Sequence, residues 1–268
     1  MTDAQTAADC IDLDRYPVDK LAGQEARALL TKGREALAAR GSLVLPEFLK
    51  PEAVEAILAE HAPRFDEAYY CRKDHNVYLA PQDSALPDDH PGNRLQVSDL
   101  GCLAWDQIGD DSLLGRLYDW PDLWAFLAAL LGYPRLYPYD DPLGSVNLNL
   151  FQPGQQLGWH YDNADFAVTL MLQPAADGGV YEYLPGFRDR PDKDGVALGA
   201  VLEGVRDNIL ELTQGAGALV VFRGRRSLHR VTPVAAGRPR IVVVFSYDTE
   251  PGRRLTAHTQ ELFYGRSA

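Results

Sequence analysis

The chain has 268 residues, 46% hydrophobic and 24% charged, the balance of a globular protein with a sizeable core rather than of a disordered or fibrous one. Its 38 acidic against 26 basic residues give a formal charge of -12, which argues against a broad phosphate-binding face and against adhesion to anionic lipid, so neither nucleic acid nor a membrane is an expected partner. Cys10, Cys71 and Cys102 are odd in number and form no C-x-x-C pair, which suggests neither a disulfide framework nor a structural zinc site and points to a reducing cytoplasm.

The acidic N-terminus, M-T-D-A-Q-T-A-A-D-C-I-D-L-D, lacks the basic start and apolar core of a signal or transit peptide. No apolar run reaches membrane-spanning length. Leu21 to Arg40 is rich in helix formers, with Leu21, Leu29, Leu30 and Leu37 as apolar markers and Gly41 as a C-cap. Ser42 to Leu45 is β-prone, and Pro51 stands where a second helix, E-A-V-E-A-I-L-A-E-H, would begin. Between Tyr69 and Asp111 the chain is rich in Pro, Gly, Asp, Asn and His and reads as one long irregular segment, a candidate substrate loop. Ser112 to Leu131 is helical again, in two pieces broken at Trp120-Pro121, with Gly132 as the stop.

From Pro134 the apolar segments become short, β-branched or aromatic. S-V-N-L-N-L-F, A-V-T-L-M-L, G-V-Y-E-Y-L, A-L-V-V-F and R-I-V-V-V-F-S-Y read as strands of an antiparallel sandwich or barrel, and Asp189 to Asp207 as a polar surface excursion. No repeat or linker divides the chain. The expectation is one domain over 1–268, mainly β with bracing helices: 1–133 the mainly helical part and substrate loop, 134–268 the β core. Nothing in the sequence sets an oligomeric state.

Within G-W-H-Y-D-N-A-D-F, His160 and Asp162 stand two residues apart, and on a strand such residues share a face. The spacing alone is weak evidence, since H-x-D is common at a solvated strand end. His229, in F-R-G-R-R-S-L-H-R-V-T-P-V, also abuts a strong strand. Two imidazoles and a carboxylate on one face of an octahedral metal leave three positions open, the arrangement of non-heme Fe(II) oxygenases. When the co-substrate is 2-oxoglutarate, its distal carboxylate wants a guanidinium. Arg240 opens the strand that follows His229, and Arg238 has the same parity as a second choice.

H-Y-D, L-H-R-V-T-P-V and R-P-R-I-V-V-V-F-S-Y-D closely resemble the Fe(II)/2-oxoglutarate-dependent oxygenases. The resemblance implies a double-stranded β-helix (jelly-roll, cupin-like) core. It also implies His160, Asp162 and His229 as iron ligands, Arg240 as the 2-oxoglutarate anchor, and Fe(II), 2-oxoglutarate and O2 as cofactor and co-substrates. H-N-V-Y-L, L-P-D-D-H-P and D-P-L-G-S-V-N-L-N-L extend it toward the bacterial group of free-amino-acid hydroxylases and radical halogenases, roughly from Tyr69 to the end. Halogenases of that group carry Gly or Ala where the carboxylate ligand would stand, and Asp162 fills that place. The expected reaction is therefore hydroxylation of an unactivated C-H bond of a free amino acid or derivative, with 2-oxoglutarate decarboxylated to succinate. Radical halogenation, desaturation or ring formation is the alternative within the family. A zinc-dependent hydrolase or isomerase on a cupin-like barrel is the alternative outside it.

Asn147 and Asn149 alternate with Val146, Leu148 and Leu150 and share a face. If that face lines the barrel, Asn147 and Thr169 are candidates for 2-oxoglutarate and Asn149 for substrate; otherwise they are ordinary strand residues. Asn163 at the mouth and Arg94 in the loop are further substrate candidates, against the blander readings of turn former and exposed loop arginine. Trp159 reads as packing, and His75, His90 and His258 receive no metal role. Arg223, Arg225 and Arg226 are expected to pair with carboxylates and brace the turn before His229.

Overall fold

The computed structural model describes residues 5–268; the part of the N-terminal reading that falls on residues 1–4 lies outside them. The first half supplies α1 (Ala7–Cys10), α2 (Gln24–Arg40), β1 (Ser42–Leu45), α3 (Pro51–His61), β2 (Tyr69–His75), β3 (Gln96–Leu103), α4 (Trp105–Ile108), α5 (Leu113–Tyr118) and α6 (Pro121–Leu131). The second half supplies β4 (Tyr137–Pro138), β5 (Val146–Phe151), β6 (Leu157–His160), β7 (Ala167–Gln173), β8 (Tyr181–Leu184), α7 (Val196–Leu202), β9 (Leu210–Leu212), β10 (Leu219–Phe222), β11 (Leu228–Val231), β12 (Arg240–Phe245), β13 (Tyr247–Asp248) and α8 (Ala257–Tyr264).

These strands make a seven-stranded antiparallel sheet, β1-β10-β7-β12-β5-β3-β2, and a four-stranded one, β6-β11-β8-β9, with β13-β4 as a small extra pair. Two such sheets facing each other are the double-stranded β-helix. Strand alternation sorts the large sheet's side chains into two sets. Val146, Leu148, Leu150, Val168, Leu170, Ile241 and Val243 face outward and are buried under Leu114, Leu117, Phe126, Leu127 and Leu130 of α5 and α6. Each such side chain contributes about 1.5–3 kcal/mol by leaving water, so the helices fasten the sheet from outside and leave its inner face free for chemistry. The inner face carries Asn147, Asn149, Thr169, Arg240 and Val242, since Val242 pairs with Asn149 and Met171, and Val244 with Asn147 and Thr169.

The predicted helices are present, with Gly41 and Gly132 both left-handed at their C-caps. Two segments differ from expectation. The 69–111 segment contains β2 and β3, paired from Tyr69↔Cys102 to His75↔Gln96, and α4, so its long irregular stretch shrinks to 76–95, with one 3-10 turn at Pro91–Asn93. That excursion is ordered by its own amides: Asn76 Oδ1 accepts from the N-H of Tyr78 at 3.0 Å, and Asn93 Oδ1 from that of Asp83 at 2.8 Å. The 189–207 stretch contains α7, whose Leu198 and Val201 pack with Trp159, Tyr161 and Leu184 on the outer face of the small sheet. Asp192 accepts from the N-H groups of Ala197 and Leu198 at 2.8 and 3.0 Å and so begins that helix. No helix among the described residues is long and apolar enough to cross a membrane.

Candidate metal centre

β6 ends at His160, and β11 pairs with it antiparallel, His229 directly opposite His160. Asp162 lies past the strand end, so the same-face argument for a strand does not place it. Its position comes from the turn after β10: the Asp162 N-H donates to the Gly224 carbonyl at 3.2 Å. That turn is itself tied down, because the Arg223 N-H donates to the carbonyl of Gly41 at the end of α2, 2.8 Å away.

Three donor atoms converge. His160 Nε2 and His229 Nε2 lie 3.5 and 3.4 Å from Asp162 Oδ1, and one ligand atom from each residue falls within 4.8 Å of the others. Both imidazoles are buried. Each is fixed by the same contact: His160 Nδ1 lies 2.8 Å from the Gly158 carbonyl, and His229 Nδ1 2.9 Å from the Ser227 carbonyl. A carbonyl only accepts, so each Nδ1 carries the proton and each neutral ring turns a bare Nε2 lone pair to the centre. Burial, together with the neighbouring His229, pushes the His160 pKa down and favours that neutral form. Burial would raise the Asp162 carboxyl, but the positive charge and N-H donors that His229 and His160 present when protonated, a place a metal cation can take, outweigh this and hold it well below the usual carboxylate range. Two lone pairs and a carboxylate facing one another repel unless a cation lies between them, so the donor set fits a divalent metal.

Gly224 is part of this geometry. A Cβ there would lie 1.7 Å from Asp162 Oδ2 and 2.4 Å from its Cγ, so the carboxylate occupies space that only glycine leaves. No local signal in the sequence marks Gly224. Ser98 was also missed. Its hydroxyl accepts from the Gly158 N-H at 3.1 Å and lies 2.6 Å from His75 Nε2, and the His75 ring packs edge-on to His160 with centroids 6.1 Å apart. His75 therefore supports the ligand strand without reaching the centre. Tyr181 was read only as part of a strand. It stacks on His229 at 5.6 Å, and burial pushes its hydroxyl pKa well up.

Arg240 opens β12 on the inner face, buried at 4% exposure. Its Nη2 donates to Gln214 Oε1 at 3.3 Å and its guanidinium lies over Phe151 at 5.4 Å. Among the described residues it forms no ion pair. Burial lowers its pKa to about 10, opposed only by Tyr181. A buried guanidinium with no carboxylate costs several kcal/mol unless an anion joins it, so the chamber fits a small dianion with one end on Arg240.

The other expected residues divide. Asn149, opposite Val242, is one inward step from Arg240, whereas Asn147 and Thr169 share the row of Val244, two steps or roughly 13 Å along the strand. The Asn147 carbonyl oxygen also accepts from the Tyr264 hydroxyl of α8, so it anchors that helix and is spent for a co-substrate at Arg240. Arg238 precedes β12, is exposed and donates to the Pro174 carbonyl at 3.2 Å, which places it outside the barrel. Arg94 is ion-paired with Glu203 at 3.3 Å, and Asn163 is exposed on the turn. Trp159 is buried beneath Arg230 as a packing residue. Arg225 and Arg226 pair with Asp165 and Asp189 at 2.8 and 2.7 Å, bracing the turn as expected; Arg223 instead lines a cleft with Arg34.

The family model described as HalD: Halogenase D matches residues 99–264, a span that holds the triad, Gly224 and Arg240. The chain belongs to the Halogenase D family. No curated protein matches its sequence. Among solved structures, this Halogenase D family member is similar to the non-heme alpha ketoglutarate dependent epimerase SnoN from nogalamycin biosynthesis, at 17% identity over 82% of this chain and 81% of that one, TM-score 0.58. It is similar to AviO1 from Streptomyces viridochromogenes Tue57 at 19% identity over 82% and 95%, TM-score 0.55. A 2OG-Fe(II) oxygenase family oxidoreductase from Burkholderia pseudomallei matches at 15% over 83% and 92%, TM-score 0.54. At these identities the likeness is one of fold, and the fold is that of the Fe(II)/2-oxoglutarate oxygenases.

Proposed function

We propose that this Halogenase D family member is a hydroxylase, acting with Fe(II), 2-oxoglutarate and O2 on an unactivated C-H bond of a small molecule, a free amino acid or close derivative. The observation that carries the reading is the Asp162 carboxylate beside both imidazole Nε2 atoms. His160, Asp162 and His229 would hold the iron, and Arg240 the distal carboxylate of 2-oxoglutarate. When bound, the iron would supply the oxidant that removes a hydrogen atom from carbon, one atom of O2 ending in the succinate formed with CO2 from 2-oxoglutarate and the other in the product hydroxyl.

The chain's own residues do the rest. The carbonyls of Gly158 and Ser227 hold both rings in the ligating tautomer. Gly224 leaves the carboxylate its place. Buried Arg240 fixes one end of the co-substrate so that the other end reaches the triad. Asn149 lies on the wall between them. With three protein ligands in place, no protein-provided vacancy for halide remains, which favours hydroxyl as the transferred group.

The test is succinate formation from 2-oxoglutarate by purified protein, with mass detection of a product one oxygen atom heavier. Turnover with Fe(II) but not Zn(II) separates this reading from a zinc hydrolase or isomerase. The family match to Halogenase D keeps halogenation as the second reading, and a product with chlorine's isotope pattern in chloride buffer would establish it.

A further inference from the structure

Three arginines from distant parts of the chain meet on the side of the molecule away from the chamber. Arg34 and Leu37 are neighbours on one face of α2, three residues apart. With Leu130 and Leu131 at the end of α6, and Arg223 and Arg226 from the turn after β10, they line a cleft of about 420 Å3. No residue lining it is acidic, in a chain whose acidic side chains outnumber the basic ones 38 to 26.

The guanidiniums are held in place but not used up. Arg34 donates from Nε and Nη2 to the Ala129 carbonyl at 2.9 and 2.5 Å, which fixes its fork at the end of α6 and leaves Nη1 free. Arg226 donates from Nε to Asp189 at 2.7 Å, which leaves both of its terminal nitrogens free. Arg223 is half-buried, and its guanidinium takes part in no ion pair and no hydrogen bond among the described residues, against the expectation from sequence that it pairs with a carboxylate. Asp189 is thus the one carboxylate among the described residues that pairs with any of the three.

We infer that this cleft binds a phosphate-class anion, free or carried as a monoester, its oxygens shared among Arg34, Arg223 and Arg226. Planar guanidinium forks pair with phosphate oxygens through parallel N-H···O bonds, and three forks around one point suit a tetrahedral head better than a planar carboxylate. Leu37, Leu130 and Leu131 give an apolar group on a monoester a surface to cover. The acidity of the whole chain opposes a broad anion-binding face, but not a cleft in which the local charge is positive. The site is separate from the metal centre and does not rest on the hydroxylase reading. It adjoins the turn that places Asp162, since the Arg223 N-H donates to Gly41 and the Gly224 carbonyl accepts from Asp162.

Isothermal titration calorimetry on metal-free protein tests this, with inorganic phosphate and phenyl phosphate as probes in Tris chloride buffer at fixed ionic strength. Saturable binding of one equivalent is expected. Tighter binding of phenyl phosphate assigns the site to a monoester, and equal or weaker binding assigns it to free phosphate. Arg223→Gln and Arg34→Gln should each weaken binding about tenfold, and Arg223→Lys should retain part of it. Arg254→Gln, which removes a positive charge outside the cleft, should leave it unchanged. Circular dichroism and Tm check that each variant folds; Arg223→Gln breaks no side-chain contact of the protein and is the cleanest of them. Absence of saturable binding overturns the inference. So does binding that survives both Arg223→Gln and Arg34→Gln, which would move the anion to the buried Arg240, and so does an equal loss in Arg254→Gln, which would reduce the effect to net charge.

Discussion

Gly224→Ala adds one methyl group against Asp162, and the structure says how much must give. The new Cβ would stand 1.7 Å from Oδ2, against the 3.4 Å at which ordinary contact begins, so the oxygen must retreat by about 1.7 Å or the turn must open. Rotating the carboxylate does not suffice, because Cγ and Cβ of Asp162 lie only 2.4 and 2.8 Å from the same point. The side chain must leave its rotamer, or the Asp162 to Gly224 backbone hydrogen bond must break. Gly224 is not among the positive-φ residues, so alanine meets no backbone strain there and the effect is steric. Metal ligands hold their distances within about 0.2 Å, and losing a ligand's support costs roughly 10–100-fold in metal affinity. We expect that loss in a calorimetric Fe(II) titration under anaerobic conditions, together with a fall in Tm from the clash. In the double variant Gly224→Ala/Asp162→Gly the clash is gone, so Tm should recover while iron affinity stays low. Wild-type iron affinity in Gly224→Ala would refute the reasoning, because the carboxylate would then not be where its function requires it.

Asp162→Gly should abolish hydroxylation, and with chloride present mass spectrometry of the products reads whether the freed position admits halide. Arg240→Gln removes the buried guanidinium and should raise KM for 2-oxoglutarate by roughly 10–100-fold through the lost charge-assisted contact, with Arg240→Lys recovering only part because the bidentate geometry is gone; an unchanged KM would remove Arg240 from the co-substrate site. Acidification should destabilise the metal-free protein. Burial pushes His75 and His160 below their ordinary 6.5, so between that value and their folded pKa values the unfolded chain binds more protons. Their contribution is complete above about 6.5 and is lost as pH falls below it. Asp162, held below its ordinary 3.8, keeps its own contribution throughout that window and does not mask the effect. Tm measured from about pH 7.5 to about pH 5.5 should therefore drop, and a flat or rising profile would contradict the sign.

The legible parts of the fold were those where local chemistry and tertiary packing agree. Gly41 and Gly132 mark helix ends because both are left-handed there, and V-N-L-N-L-F shows its alternation because one face meets helices and the other the chamber. β2 escaped detection for a physical reason: Y-Y-C-R-K-D-H is an edge strand with a largely polar surface, held by pairing to β3 rather than by an apolar face. α7 was hidden in a polar stretch because only Leu198, Gly199 and Val201 of it are buried. At the centre, His160, Asp162, His229 and Arg240 were readable because their side chains bear the chemistry. Gly224 and Ser98 were not, since one acts by having no side chain and the other through a backbone N-H on a strand far away in sequence.

Membership of the Halogenase D family and a carboxylate ligand at Asp162 fit together once the two positions are considered jointly. The family match spans 99–264, which is the scaffold that brings β6, β11 and β12 together. On the proposed reading, the choice of transferred group depends on what stands at 162. A carboxylate there requires the residue at 224 to lack a Cβ, whereas a glycine at 162 imposes no such condition. The two substitutions are therefore unequal: Asp162→Gly opens space bounded by Gly224 and the two Nε2 atoms, while no carboxylate can be introduced opposite a residue larger than glycine. On the proposed reading, hydroxylase chemistry on this scaffold is thus a property of the pair Asp162 and Gly224, and the pair can be read in a sequence only after the fold has shown that the two positions touch.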